Sequence, residues 1–227
     1  MLLALDTSLD ATSAAVGWPD GTCRAARFEI GAARQAEWLM PMIETVLDEA
    51  GIAPAALTKI GVTVGPGSFT GLRIALSAAR AMAAALGIAV VGVTTTRLLH
   101  AASRTTSRVL VALDARHGRL YVELFDEAGR SLAGPGVAQG AAQLGALIGA
   151  GGAGPARTPL VIGSGAALAC EMLASEGLAA TCEDTARMPD AKDLLPLMVR
   201  LEGRPGDMPQ ALYLRPPDVA TLEARGS

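Results

Sequence analysis

An internal echo constrains this chain most: Leu2-Leu3-Ala4-Leu5-Asp6 at the start returns as Leu110-Val111-Ala112-Leu113-Asp114, down to the shared Ala-Leu-Asp. An apolar run of this length that stops at a carboxylate reads as a buried strand opening into a polar loop. A chain of 227 residues that restarts such a pattern near its middle has room for two small lobes with a substantial core.

The segments downstream of each run support the duplication. After the first come a strand over 12–18, a turn at Pro19-Asp20-Gly21 and a third strand, Cys23–Ile30. An amphipathic helix over 34–49 carries Leu39, Ile43, Val46 and Leu47 at helical spacing. A strand over 59–64, a glycine-rich loop over 65–71, a helix over 72–86 and a strand Ala89–Thr94 complete a β-β-β-α-β-α-β order. After the second run come a turn at Arg116-His117-Gly118, a strand over 119–125 and a turn at Asp126-Glu127-Ala128-Gly129. A helix over 142–148, an exposed Gly/Ala/Pro loop over 149–159 and a strand Leu160–Ile162 are predicted next. A helix Ala166–Ser175, a short strand near Ala180 and a helix over 192–201 close the pattern. The boundary falls near residue 100. It separates an N-terminal lobe, 1–100, from a reduced second lobe with a C-terminal tail, 101–227. A duplicated meander-plus-helices unit points to a shortened α/β fold of the actin/hexokinase class, the ASKHA group with ribonuclease H-like lobes.

Composition narrows the function. The chain is 51% hydrophobic, 18% charged and 3% aromatic, with a net charge of −3. An acidic, aromatic-poor surface has neither the electrostatic funnel nor the stacking platform needed to grip RNA alone. Cys23, Cys170 and Cys182 show no CxxC spacing, and read as reduced thiols, not a disulfide frame or zinc site. His100 and His117 are too far apart to form an i, i+4 metal pair, and no Cys/His/carboxylate cluster suggests a metal. The N-terminus has no basic region and reaches a charge at Asp6, a pattern against a secretory signal. The stretch 74–93 has only Arg80 as a charge, but it is Ala-rich and split by Gly87. A buried helix and strand fit it better than a membrane span.

Three segments carry candidate chemistry. In a two-lobed fold of this class, an Asp after the first strand of each lobe sits beside nucleotide phosphates. Asp6-Thr7-Ser8 has that position, and the plainer reading is a polar loop in which Asp6 caps local amides. Asp114 matches less well, because Ala115-Arg116 offers no small residue to bring backbone near a phosphate. The third segment is Gly65-Pro66-Gly67-Ser68-Phe69-Thr70-Gly71-Leu72-Arg73. No Lys-Ser/Thr follows Gly71, and the third Gly falls one residue late for GxGxxG. It is a strand-to-helix turn in which Ser68 or Thr70 can cap a helix and an anion can meet its N-terminus.

That segment closely resembles the signature of the TsaB (YeaZ) family, subunits of the bacterial machinery that builds threonylcarbamoyladenosine (t6A) in tRNA. Leu3-Ala4-Leu5-Asp6-Thr7-Ser8, Leu39-Met40-Pro41-Met42, Val111 to Arg116 and Tyr213-Leu214-Arg215 resemble it too. Gln35 stands where some members carry a histidine. The resemblance implies a cytoplasmic, non-catalytic subunit that dimerises with catalytic TsaD and works with the ATPase TsaE. It implies no membrane partner, a possible homodimer when alone, and tRNA contact mainly through the complex. No cofactor is expected to bind tightly to this chain, and ATP or ADP, if present, would sit at the interface with the partner. Asp6, Thr7, Ser8 and Asp114 would then be vestiges of a nucleotide site.

The rival readings are a small kinase of the same fold class and a nucleotide-sensing regulator. A kinase needs a base near the acceptor, metal-holding carboxylates and a full adenosine-binding subdomain; the second phosphate loop is poor here, and 227 residues are few for two complete lobes with insertions. For the partner reading, the helix over 72–86 offers two stripes. Leu72, Leu76, Ala79, Ala83 and Leu86 should face the core; Gly71, Ala75, Ala78, Met82 and Ala85 form a second, small-residue stripe. Arg73, Ser77 and Arg80 lie on the far side. Packed either against the 34–49 helix or against a partner, this second stripe marks Ala75, Ala78, Met82 and Ala85 as interface candidates, with Trp38 and Met42 as larger anchors.

Overall fold

The computed structural model describes residues 1–150, 158–183 and 187–215. Most of the predicted 149–159 loop and the tail from Pro216 lie outside the described residues. The first half runs β1 (Leu2–Asp6), β2 (Ala11–Gly17), β3 (Cys23–Ile30), α1 (Gln35–Ala50), β4 (Lys59–Gly65), α2 (Phe69–Leu86), β5 (Ala89–Thr94) and α3 (Thr95–Ser103). The second repeats this order with β6 (Val109–Asp114), β7 (Leu120–Phe125), β8 (Ser131–Ala138), α4 (Ala141–Ala150), β9 (Leu160–Ile162), α5 (Ala166–Ser175), β10 (Thr181–Cys182) and α6 (Ala191–Val199). The two sheets share one topology: β3-β2-β1-β4-β5 in the first and β8-β7-β6-β9-β10 in the second. In each, the first strand pairs antiparallel with the second and parallel with the fourth. This is the duplicated actin-like α/β fold, and Asp6 and Asp114 close equivalent central strands.

Two elements go beyond those legible in the sequence. The helix α3 follows β5 without a turn, and the Thr94 side chain caps it by accepting from Arg97 N. The strand β8 contains Gly134-Pro135-Gly136, which reads as a breaker; an edge strand tolerates it because one side needs no ladder bonds.

Every residue of β1 and β2 is buried, because both faces of the first sheet are covered. Leu3, Leu5, Ala14 and Val16 meet α1 and α2, while Leu2, Ala4 and Ala15 meet α3 and α6. The boundary expected near residue 100 lies inside an element that packs on both halves. It cuts α3, whose Leu98 joins the first core and whose Leu99 joins a cluster with Val109, Val111, Leu113 and Phe125. Likewise α6, assigned to the second lobe, lays Leu194, Leu195 and Met198 on the first sheet. Gly61 makes room for it: a Cβ there would lie 2.4 Å from the Met198 sulfur. Lys59 Nζ anchors its end by donating to the carbonyls of Met198 (3.1 Å) and Leu201 (2.7 Å).

After α6 the chain crosses back over the first lobe as an irregular strap, 203–215. Pro209 packs on Gly92, Leu212 N donates to Val64 O at 2.7 Å, and Met208 and Ala211 pack against the core beneath α2. The helix α2 is apolar and long enough to cross a membrane by composition, yet Ala75, Leu76, Ala79 and Ala83 are packed inside the first core and Leu72 is buried beside the glycine loop.

Candidate functional site: the glycine loop and the cleft between the lobes

The glycine loop joins β4 to α2 and is pressed onto the turn after β1. Ser68 N donates to Ser8 O at 2.7 Å, and the Ser68 hydroxyl caps α2 by accepting from Gly71 N at 3.2 Å. A Cβ on Gly67 would sit 2.2 Å from Ser8 O, and one on Gly71 would sit 2.0 Å from Thr7 O. These glycines permit backbone-to-backbone contact within the chain itself. Thr7 completes the join: its hydroxyl donates to Gly71 O at 2.6 Å and accepts from Ala75 N at 3.2 Å. From α1, the Gln35 amide nitrogen donates toward the carbonyls of Thr7 (3.2 Å), Leu9 (2.7 Å) and Ala11 (2.7 Å). Gln35 is thus a buried clamp on the β1–β2 turn.

This arrangement gives the first segment the plainer of its two readings, a polar turn in which Asp6 caps a local amide. Asp6, Thr7 and Ser8 have no solvent exposure. Asp6 Oδ1 accepts from the hydroxyls of Ser8 (2.7 Å) and Thr63 (2.5 Å) and from Ser8 N (3.3 Å). Asp6 Oδ2 is buried without a hydrogen-bond partner among the described residues. Burial pushes the Asp6 carboxyl up to about 6; the Ser8 and Thr63 bonds pull the other way, and Asp190 adds to the rise.

Asp114 behaves differently. It is exposed on the cleft between the lobes, a cavity of about 640 Å³. Its Oδ1 accepts from Arg116 N at 2.7 Å, and its N–H donates to the Ser164 hydroxyl at 3.1 Å. Ser68, Phe69 and Thr70 form the opposite wall, so Gly67 and the α2 N-terminus face Asp114 and Arg116 across the gap. Pro66 and Gly65 lie behind them, Pro66 buried after a cis peptide.

The strap supplies the third wall, through Leu212 to Arg215. Tyr213 packs on Phe69 with ring centroids 5.0 Å apart, and Arg73 lies 3.8 Å over the Phe69 ring while its Nε donates to the Tyr213 hydroxyl at 3.3 Å. Arg215 donates to Ala115 O in the other lobe. Arg80 donates to Pro209 O at 2.9 Å. The far side of α2, with Arg73 and Arg80, is thus tied to the strap. Tyr213-Leu214-Arg215 carries part of the family resemblance, but its contacts across the cleft have no local sequence signal.

Of the predicted interface residues, Ala75 and Met42 are corrected: both are buried in the first core and offer no surface. Ala78 and Met82 are half-buried against that core, and Ala85 is exposed. Trp38 lies across Gly31, with Arg34 over its ring at 4.8 Å. Met40 is exposed on another side of α1.

A family model for TsaD, tRNA N6-adenosine threonylcarbamoyltransferase, matches residues 29–198. The TsaB protein of t6A biosynthesis from Escherichia coli is 33% identical over 123 residues, 53% of this chain and 52% of the relative. The Bacillus subtilis TsaB is 36% identical over 87 residues, 38% of each chain. The chain thus spans about half or less of the length of these two relatives. The solved structure of YeaZ from Pseudomonas aeruginosa superimposes with a TM-score of 0.77 at 29% identity, over 94% of this chain and 99% of that one. The family match, the similar relatives and the superposition on YeaZ agree: this chain belongs to the TsaD family, on its TsaB/YeaZ branch.

Proposed function

We propose that this chain serves t6A biosynthesis in tRNA as a non-catalytic subunit that pairs with catalytic TsaD. One observation carries the reading of the site. The carboxylate equivalent to a phosphate-side Asp, Asp6, is buried behind a glycine loop that packs on its own chain. Asp114 alone of the pair reaches the cleft, which suits a kinase poorly.

In this reading, the partner docks on the α1/α2 surface around Trp38, Ala78, Met82 and Ala85. Where TsaD is missing, the same surface pairs two copies of this chain. TsaE joins the complex, ATP or ADP sits at an interface between subunits, and tRNA is gripped mainly by the other chains, in the cytoplasm. Reconstitution tests it. The purified chain, given tRNA, ATP and a threonylcarbamoyl donor, should transfer nothing; adding TsaD and TsaE should yield modified tRNA, at a rate that collapses when this chain is left out. Transfer or ATP turnover by the chain alone would overturn the reading.

A further inference from the structure

Away from the cleft, α5 is the crossover that carries the chain from β9 to β10, and it packs on both strands. Cys182 of β10 is in register with Val161 of β9. In-register neighbours of a sheet project to the same face. Val161 points into the cluster formed with Ala166, Ala169 and Leu173 of α5, whereas its neighbour Ile162 points into the opposite cluster with Leu99. Cys182 therefore faces α5, and Cys170 lies on that helix at the margin of the same cluster. Packing of α5 on β10 thus brings the two thiols to the same side of the sheet edge, near enough for Cys182 to push the Cys170 thiol upward. Both are free, Cys182 exposed at the sheet edge and Cys170 half-buried beneath it.

We propose that Cys170 and Cys182 form a site of reversible disulfide modification, which takes glutathione disulfide or a similar small disulfide as its oxidant. The exposed Cys182 reacts first. Its thiol gives a proton to solvent, and the thiolate attacks one sulfur of glutathione disulfide, releasing glutathione thiolate and leaving a mixed disulfide on Cys182. Cys170 then gives up its proton and its sulfur displaces the second glutathione thiolate. The cysteine pair loses two electrons and two protons, and one glutathione disulfide becomes two glutathiones. Burial, reinforced by the Cys182 contact, pushes the Cys170 thiol up to about 12, so the second step is the slower one and accelerates with rising pH. The product staples the two-residue edge strand β10 to α5.

Intact mass and thiol titration of the full chain, incubated with glutathione disulfide, test this. The expected end point keeps one titratable thiol of the three, a mass lower by two hydrogens, no retained glutathione, and a peptide map linking 170 to 182; dithiothreitol restores the start. Cys170→Ser should stop at a glutathione adduct on Cys182, and Cys182→Ser should form no internal bridge. A wild-type chain that stops at stable adducts, keeps all three thiols or bridges through Cys23 overturns the proposal.

Discussion

Asp6 places an ionisable group where water cannot reach it, and its stability effect has a definite sign. Its folded value of about 6 lies above the ordinary 3.8, so the folded chain holds this proton more tightly than the unfolded one. That contribution is complete below about pH 4 and is lost as pH rises to about 6. Asp6→Asn keeps an acceptor for Ser8 and Thr63 and removes the charge. It should stabilise the chain above pH 6 by about 2–3 kcal/mol, with the gain fading toward pH 4. Urea titrations at several pH values check this, and parallel curves for the two proteins would refute it. The glycines make a second contrast. Gly71→Ala drives a Cβ to within 2.0 Å of the Thr7 carbonyl and should cost roughly 3 kcal/mol or more. Gly51 and Gly87 have open space and φ of 65°, so Ala at either should cost only about 1 kcal/mol. Comparable losses at all three positions would mean that the loop is not pressed on the β1 turn.

Among elements, α2 has three differently used sides. Ala75, Leu76, Ala79 and Ala83 fill the core, Arg73 and Arg80 hold the strap, and Ala78, Met82 and Ala85 remain on the opposite flank. Ala78 packs at the margin, where a carboxylate can still reach water. Ala78→Glu should therefore abolish co-purification with TsaD while thermal unfolding stays cooperative; normal binding by this variant would move the interface elsewhere, and loss of folding would assign Ala78 to the core. The strap makes a separate test. Tyr213→Ala removes the Phe69 contact and the Arg73 hydrogen bond, and should cost about 1–2 kcal/mol. Hydrogen exchange should then rise in the strap and at the start of α2, and unchanged protection there would show that the strap is held by its other contacts.

For the whole molecule, the two lobes are joined by exchanged parts: α6 covers the first sheet, Leu99 of α3 enters the second core, and Arg215 reaches Ala115. A buried polar bond lies in this seam. The Thr96 hydroxyl donates to Glu123 Oε2 at 2.5 Å, and both residues are buried. Thr96→Val leaves that carboxylate without its donor and should cost about 2–3 kcal/mol, whereas Thr96→Ser should cost far less. Calorimetry checks the ranking, and equal losses for the two variants would place the cost in packing.

The amino-acid sequence by itself carried the duplication, most strands and helices, and the identity of the glycine loop, because these depend on local periodicity and on residue types read in order. The first core helix stripe, Leu72, Leu76, Ala79 and Ala83, was legible for the same reason. Tertiary packing decided which polar residues face water. Asp6 and Asp114 end equivalent strands after the same Ala-Leu-Asp, yet Asp6 is closed in by Ser8 and Thr63, and Asp114 is open to the cleft. It also decided that Ala75 and Met42 belong to the core, that α3 and α6 bridge the halves, and that Tyr213 and Arg215 wall the cleft. Those outcomes rest on contacts between residues up to about a hundred or more positions apart, such as Arg73 with Tyr213 and Lys59 with Met198. Local propensity extends over a turn or two of chain, so no window of sequence contains both partners of such a contact.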